Sequence, residues 1–236
     1  MPNHVKTRCT ITGPAVDIDA FRATMIRTEE AKTFLDFQQI IPMPASASDV
    51  VEDSLSPNVL AIMARSSSIV NIWNHLRQHD TNGILGEWKG YVGFEDGEIE
   101  ERLERLYPGC IERARKMALC IGETGYKSWY DWSIANWGTK WNSYDFEQVS
   151  EEPFQFTFDT AWDFPEPVFE ALARRYPTLH FECVSFNEGW NFAATGFFNP
   201  PAGKAAWERC DATEELYELV YGEKFQRDPE DETESA

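Results

Sequence analysis

Two residue pairs that contain histidine have spacings in this 236-residue chain that could support metal binding or acid–base chemistry. His75 and His79 are four residues apart in a segment with helical periodicity, so both imidazoles would lie on one helix face, with Asp80 next to them. A zinc site needs a third ligand, and a zinc protease needs a glutamate at a fixed offset, which this segment lacks. We therefore expect a solvated helix face and no metal site.

The second pair, His180 and Glu182, could act as a base and the group that orients it, because alternate residues of a strand share one face. Any solvated strand face carries such polar residues, and the sequence places no serine or cysteine nucleophile beside them. The glycines between Gly83 and Gly97 lack the context of a phosphate-binding loop. We therefore predict no catalytic residue and no cofactor.

Tryptophan is concentrated in one segment, because residues 129–146 contain seven aromatic residues, four of them tryptophan. Asn136, Gly138 and Asn142 interrupt helical periodicity, which predicts a loop that crosses over a sheet. Aromatic side chains at this density usually bury one another, so packing is the leading interpretation.

Two other interpretations of the tryptophan segment stay open. The rings could form a protein-binding hot spot, or they could wall a groove that stacks a ligand's rings. A groove would make the chain a small-molecule or nucleotide-processing enzyme, or a single-stranded nucleic-acid-binding module. The candidate ligand-binding residues are Trp137, Lys140, Trp141, Asn142, Glu188 and Trp190.

The net charge of −19 is concentrated in the second half of the chain, since residues 1–120 sum to −4 and residues 121–236 to −15. Such a surface repels nucleic-acid phosphates and anionic lipid, and it favours a basic partner. Alternate strand residues lie about 6.6 Å apart, roughly two nucleotide rises along one DNA strand. A row of carboxylates could therefore mimic a nucleic-acid backbone, although a generally charged, soluble surface is the simpler explanation of any one carboxylate. The candidate acidic face comprises Asp145, Glu147, Asp159, Asp163, Glu166, Glu170 and Glu182.

The composition indicates a folded cytoplasmic protein, with 42% hydrophobic residues and no apolar run long enough to span a bilayer. The first twenty residues lack the apolar core of a signal peptide. The five cysteines are odd in number and form no Cys-x-x-Cys pair, which argues against a disulfide framework and a zinc knuckle. Cys9 and Cys183 fall in predicted strands, where we expect them to be buried.

Hydrophobic periodicity predicts the elements that position these residues in the first half of the chain. Val5 to Ile11 alternate with polar residues, as in a half-buried strand, and Gly13 ends the pattern. The predicted elements are a strand at 4–12, a helix at 18–27, a strand at 35–41, a loop at 45–56, the longest helix at 57–79, a Gly-rich turn near 83–97, and helices at 98–107 and 110–121.

The second half returns to strand patterns after the tryptophan segment. Phe154, Phe156 and Phe158 alternate with polar residues, and a capping box from Asp211 to Glu214 begins a last helix. The predicted elements are strands at 144–149 and 154–159, a helix from Pro165 to Tyr176, strands at 179–186 and 190–198, and a helix at 212–221.

Several strings of residues carry a resemblance to a known family. They are Met-Pro-Asn-His-Val at the start, residues 37–44, Asn-Trp-Gly-Thr-Lys-Trp-Asn at 136–142, Thr-Ala-Trp at 160–162 and Glu-Gly-Trp at 188–190. Over about residues 1–44 and 125–200 the chain resembles the YubB-like proteins of phages and plasmids. The resemblance implies a ferredoxin-like domain in the C-terminal half and a mobile-element setting, and it implies no mechanism.

Together these observations predict an α+β fold with a ferredoxin-like open sheet, helices on one face and an inserted helical layer. The predicted domains are a strand-helix-strand unit at 1–44, a helical region at 45–121, the ferredoxin-like domain at 122–222 and an acidic, disordered tail at 223–236. The leading functional hypothesis is a non-enzymatic accessory protein that binds a basic, nucleic-acid-handling host protein. Through a DNA-like acidic surface it could antagonise host defence.

Overall fold

The computed structural model describes residues 3–66, 68–86, 95–204 and 206–226, which form helices α1–α9, strands β1–β8 and a short 3₁₀ turn at Phe37–Gln39. In chain order the elements are β1 His4–Thr12, α1 Ala15–Met25, β2 Ile26–Glu29, β3 Lys32–Leu35, α2 Ala45–Ser48, α3 Ser56–Met63, α4 Ile69–Arg77, α5 Asp96–Leu106, α6 Cys110–Thr124, α7 Trp129–Trp137, β4 Tyr144–Ser150, β5 Phe154–Ala161, α8 Glu166–Arg175, β6 His180–Asn187, β7 Ala193–Phe198, β8 Ala206–Cys210 and α9 Glu214–Tyr221.

The chain divides into two compact units, and the first of them is discontinuous in sequence. It combines Met1–Pro42 with Ser133–Ala236, whereas the second unit is Met43–Trp132. The sequence pattern places the corresponding boundaries after residues 44 and 121. In the structure the N-terminal strand and helix belong to the same unit as the C-terminal half.

The first unit has the topology of a ferredoxin-like fold, as the sequence predicts. Its six-stranded antiparallel sheet has the order β4-β5-β1-β6-β7-β8. The elements β1-α1-β4-β5-α8-β6 make up two interleaved split β-α-β units, because β1 pairs with both β5 and β6. The N-terminal segment therefore supplies the first strand and first helix of this fold, and the helical unit is inserted between α1 and β4.

The alternation in β1 buries one face of the sheet under α1 and α8. Val5, Cys9 and Ile11 are fully buried on that face. Phe21 of α1 packs there against Phe156 and Phe181, with ring centroids 6.3 and 5.8 Å apart. Each such side chain contributes about 2–3 kcal/mol of hydrophobic free energy when it is buried.

Three further elements follow the six basic ones in the chain. Strands β7 and β8 continue the sheet beyond β6. Helix α9 lies on the opposite face, where Tyr217 contacts Phe186 and Gly222 approaches the guanidinium of Arg8. Its first turn is capped by the Thr213 hydroxyl, which accepts a hydrogen bond from the Leu216 amide, so the prediction that Asp211 caps this helix is wrong.

The second unit is a helical layer around a core centred on Trp73 and Leu103. The single helix predicted at 57–79 is wrong, because the chain forms α3 and α4 with a turn between them at Arg65, whose φ is +53°. Serines at 66 and 68 favour turns and caps over helix interiors, which explains the break. The longest helix among the described residues is α6, with 15 residues.

The strand predicted at 35–41 is also wrong, because β3 ends at Leu35. The Asp36 side chain accepts a hydrogen bond from the Gln38 amide and begins the 3₁₀ turn, so local side-chain bonding replaces the strand. Strand β2, which pairs with β3, begins directly after α1 and had no clear signal in the sequence.

Some predictions fall on residues that the structure does not describe. These are residues 87–94 of the Gly-rich turn and residues 227–236 of the acidic tail. Among the described residues, the cysteines Cys9 and Cys183 are buried as predicted, with their sulfur atoms 3.5 Å apart. No helix in the described part of the chain is long and apolar enough to cross a membrane.

Candidate functional site

The sheet face opposite α1 and α8, hereafter the open face, collects the polar side chains of β1. His4, Lys6 and Arg8 point toward it, because they alternate with the buried residues of the other face. Their direct partners in register include Asp159, Thr157 and Phe186.

An ion pair lies at the centre of the open face. Lys6 Nζ is 3.1 Å from Asp159 Oδ1, and both side chains are largely buried. Burial raises the pKa of the Asp159 carboxyl, while the Lys6 ammonium opposes this effect. Lys6 also lies over the Tyr221 ring, with its nitrogen 5.8 Å from the ring centroid. The positive charge of Lys6 is therefore compensated within the fold.

A second group of polar side chains borders this ion pair. His4 Nδ1 forms a hydrogen bond of 2.7 Å with the Tyr144 hydroxyl, and the Glu188 carboxylate accepts a hydrogen bond from the His4 amide. Burial, together with the nearby acids Asp159, Asp145 and Glu188, raises the pKa of Tyr144. Burial likewise raises the pKa of Tyr221 to about 12. Both phenols are therefore neutral at physiological pH, so they serve as hydrogen-bonding groups.

The candidate acids divide between the two sides of the sheet. Glu147 and Glu182 are exposed on the open face, in register with Thr157 and Thr10. Asp145 is also exposed, in a bulge where its φ is +50°, so the regular alternation between Asp145 and Glu147 is interrupted.

Three other candidate acids lie on the helix-covered side. Asp163 precedes α8 and pairs with Arg209 of β8. Glu166 and Glu170 are exposed on α8 itself. Burial raises the pKa of Glu166, and its neighbours Glu170 and Asp163 raise it further. The row of seven acids drawn from the sequence is thus not one surface.

Helix α9 adds carboxylates to the open face that the sequence reasoning had not selected. Glu214, Glu215 and Glu218 are exposed on it, while Val220 is turned toward the sheet. The i, i+4 spacing of Glu214 and Glu218 is the signal that could have identified this charged helix face.

The tryptophan segment is partly a helix and partly core, so the prediction of a loop from residue 129 is wrong. Helix α7 spans Trp129–Trp137 and ends at Gly138, whose φ of +79° is the left-handed conformation that terminates helices. The glycine therefore ends the helix, and Asn136 sits in its last turn, where its low helix propensity costs little.

Trp137 and Trp190 pack into separate aromatic groups. Trp137 is 3% exposed, donates a hydrogen bond of 2.9 Å to the Ile41 carbonyl and packs edge-to-face on Phe37. Trp190 instead stacks on Tyr217 and contacts Phe225 at a centroid distance of 4.5 Å. The structure does not bring these two candidate ligand-binding residues together.

Lys140 lies between two indole rings. Its nitrogen is 4.7 Å from the centroid of Trp141 and 5.0 Å from that of Trp162, which is 37% exposed. Two cation–π contacts hold the ammonium against the surface of the protein.

Asn142 has a structural role. Its side-chain oxygen accepts hydrogen bonds from the amides of Phe37 and Ser143, and its nitrogen donates to Asp36. These bonds tie the 3₁₀ turn to the chain just before β4.

Replacing Asn142 with leucine should destabilise the first unit by about 2 kcal/mol. Asn142→Leu leaves the Phe37 amide without its acceptor and removes one of the donors to the buried Asp36 carboxylate. Asn191→Ala in the same unit removes one hydrogen bond from an exposed residue and should cost less than about 1 kcal/mol. Urea unfolding of both variants measures the difference, and equal losses would contradict the assigned role.

Residues 136–225 of the chain, which carry this geometry, match a known domain family. The family model is described as a ferredoxin-like domain in Api92-like protein. This C-terminal segment is therefore ferredoxin-like. A crystal structure of protein api92 from Yersinia pseudotuberculosis has 11% sequence identity and a TM-score of 0.41, covering 90% of this chain and 100% of that chain. No curated protein matches the sequence.

The matched ferredoxin-like segment begins near the end of α7 and includes β4 through α9. It omits β1 and α1, which complete the fold in this chain. Lys6 and Arg8 of the open face therefore come from outside the matched segment. Sequence reasoning overlooked both residues, because their partners lie about 150 residues away in the chain.

The histidine pairs are not assembled into a metal or catalytic site in the described residues. The His75 and His79 rings are 6.2 Å apart, and Asp80 instead accepts hydrogen bonds from the Ile84 and Leu85 amides. The ring of His180 bonds to the Asn199 carbonyl. No group of three metal-binding side chains forms within the part of the chain that the structure describes.

Proposed function

We propose that this chain is a non-enzymatic binding protein whose acidic open face binds a basic, nucleic-acid-handling protein. In the phage or plasmid setting that the YubB-like resemblance implies, the partner is a host protein in the cytoplasm, and binding antagonises a host defence. The observation that carries the proposal is the arrangement of charge on the open face, where Glu147 and Glu182 are exposed, while Lys6 is compensated by Asp159 and Arg8 is partly buried.

The positions of these carboxylates support a rigid binding surface. Glu147 and Glu182 stand on strands of one sheet, and Glu214 and Glu218 stand on a helix packed against that sheet. Strands and helices hold these carboxylates in fixed relative positions. Binding a complementary surface therefore costs little free energy for ordering the carboxylates. Carboxylates at fixed spacing also repel nucleic acid itself, which favours a protein partner that normally binds phosphates.

The packing of the tryptophans also supports a binding surface over an enzyme pocket. Trp137, a wall of the candidate groove, is 3% exposed, so it belongs to a core. Trp190, another wall, stacks on Tyr217 in a different aromatic group, so the two rings do not line one ligand groove.

Affinity capture at low ionic strength tests the proposal. We expect the immobilised full-length chain to recover nucleic-acid-handling proteins or a defence complex from a bacterial host lysate, with recovery falling as salt is added, because exposed charges are screened. The triple variant D145N/E147Q/E182Q should recover about tenfold less of the partner. Each of the three lost ion pairs with the partner contributes about 0.5 kcal/mol to the binding free energy.

A matched control removes the same charge elsewhere. D49N/E101Q/E123Q replaces three exposed acids of the helical unit and should recover as much as the unmodified chain. The proposal is wrong if no nucleic-acid enzyme or defence complex is captured, or if the two triple variants lose recovery equally.

A further inference from the structure

A small cavity opens on the face of the sheet between β1, β4 and the end of α9. Its volume is about 320 Å³, which is at the lower end of the range for small-ligand sites. Its walls combine charged, polar and apolar side chains. They include Lys6, Arg8, Glu147, Val149, Thr157 and Tyr221.

Arg8 is the cation in this cavity that the described residues do not compensate. Its Nε atom is buried and donates to no atom of those residues. Its Nη1 atom makes one long contact of 3.4 Å with Gln155 Oε1, a neutral amide oxygen. No carboxylate in the described part of the chain forms an ion pair with it, Glu147 included. A buried guanidinium nitrogen with an unused donor is costly, and a bound anion would remove that cost.

The surrounding charges select the kind of anion. Lys6 is neutralised by Asp159, which leaves the Arg8 guanidinium and the Glu147 carboxylate as the remaining charges of the cavity. A dianionic phosphate would be repelled by Glu147 and would carry one charge more than Arg8 can balance. One carboxylate matches one guanidinium in charge and in bidentate geometry. Val149 and the ring of Tyr221 then offer contacts to an apolar body.

We propose that this cavity binds a monocarboxylate that carries a small apolar group, with the carboxylate on the Arg8 guanidinium. The body of the ligand lies against Val149 and Tyr221. Glu147 opposes binding, because its carboxylate competes for the same cation. This site shares Glu147 with the acidic surface but binds a ligand of the opposite charge. Benzoate binding at Arg8 therefore does not depend on the function proposed above.

Nitrogen-detected NMR of arginine side chains in the full-length chain tests the site with benzoate as the probe. We expect a saturable shift of the Arg8 Nε–H resonance, at least tenfold weaker binding of benzamide, and no saturable shift with inorganic phosphate. Glu147→Gln should tighten benzoate binding several-fold, and Arg8→Gln should abolish it. Arg174→Gln is the control, because Arg174 is exposed on α8, on the helix-covered side, and is paired with Glu170, so its replacement should leave binding unchanged.

A second variant keeps the test decisive if Arg8→Gln does not fold. Val149 is 42% exposed on the cavity wall, so Val149→Trp should fill the cavity without altering Arg8 and weaken benzoate binding at least tenfold. The proposal is overturned if benzoate gives no saturable shift at Arg8, if Val149→Trp leaves binding intact, or if phosphate binds more tightly than benzoate.

Discussion

Phe21→Ala should destabilise the ferredoxin-like unit by about 3–5 kcal/mol, although residue 21 lies more than a hundred residues before the segment that matches the domain family. Phe21 is fully buried, and its ring contacts Phe156, Phe181 and Tyr176. Truncation removes the hydrophobic contacts and leaves a cavity beneath α1. A loss of this size is a large fraction of the 5–15 kcal/mol by which a domain is typically stable.

Native-state hydrogen exchange at the amides of β5 measures this loss, because it reports on the sheet independently of the helical unit. Phe197→Ala is the control, since Phe197 is in the same sheet but 45% exposed, and it should cost less than about 1 kcal/mol. If Phe21→Ala leaves exchange in β5 unchanged, then β1 and α1 are not integral to the fold.

Trp137→Ala should lower the free energy of unfolding by a comparable amount, about 3–5 kcal/mol. Trp137 belongs to the core, although the aromatic residues around it in the sequence are as dense as in a recognition loop. The change removes a buried indole, its packing on Phe37 and the donor to the Ile41 carbonyl. That carbonyl then loses its side-chain partner, which adds to the cost of the cavity.

Trp162→Ala is the matched test of an exposed tryptophan in the same unit. Trp162 is 37% exposed and contacts Lys140, so its removal should cost about 1–2 kcal/mol, clearly less than the loss of Trp137. Urea unfolding of the two variants compares the losses. Equal losses would mean that burial does not separate the two tryptophans, and the assignment of Trp137 to the core would fail.

The elements that could be predicted from sequence are those whose periodicity is decided locally. Strand β1 alternates over nine residues, and β5 and β6 carry similarly regular patterns, so their positions follow from the side chains alone. The errors arose where a short-range contact overrides the pattern. Gly138 ends a helix that it was expected to prevent, and Asp36 folds back to bond the chain two residues later.

The candidate site was less predictable, because it depends on strand order. The alternation of Asp145 and Glu147 is visible in the sequence, but the bulge that separates them is set by pairing with β5. Similarly, Lys6 and Arg8 are recognisable as polar strand residues, whereas the compensation of Lys6 requires Asp159 as a neighbour. The sequence also cannot show that α8 carries Glu166 and Glu170 to the other side of the sheet.

The most direct test of the acidic binding surface is the affinity for the captured basic protein, measured for the two triple variants at low and high salt. At about 50 mM salt, where screening is weak, we expect D145N/E147Q/E182Q to bind roughly tenfold more weakly than the unmodified chain and D49N/E101Q/E123Q to bind equally well. At about 500 mM salt the difference between the two variants should largely vanish. Equal affinities of the two variants at low salt would contradict the assignment of binding to the open face.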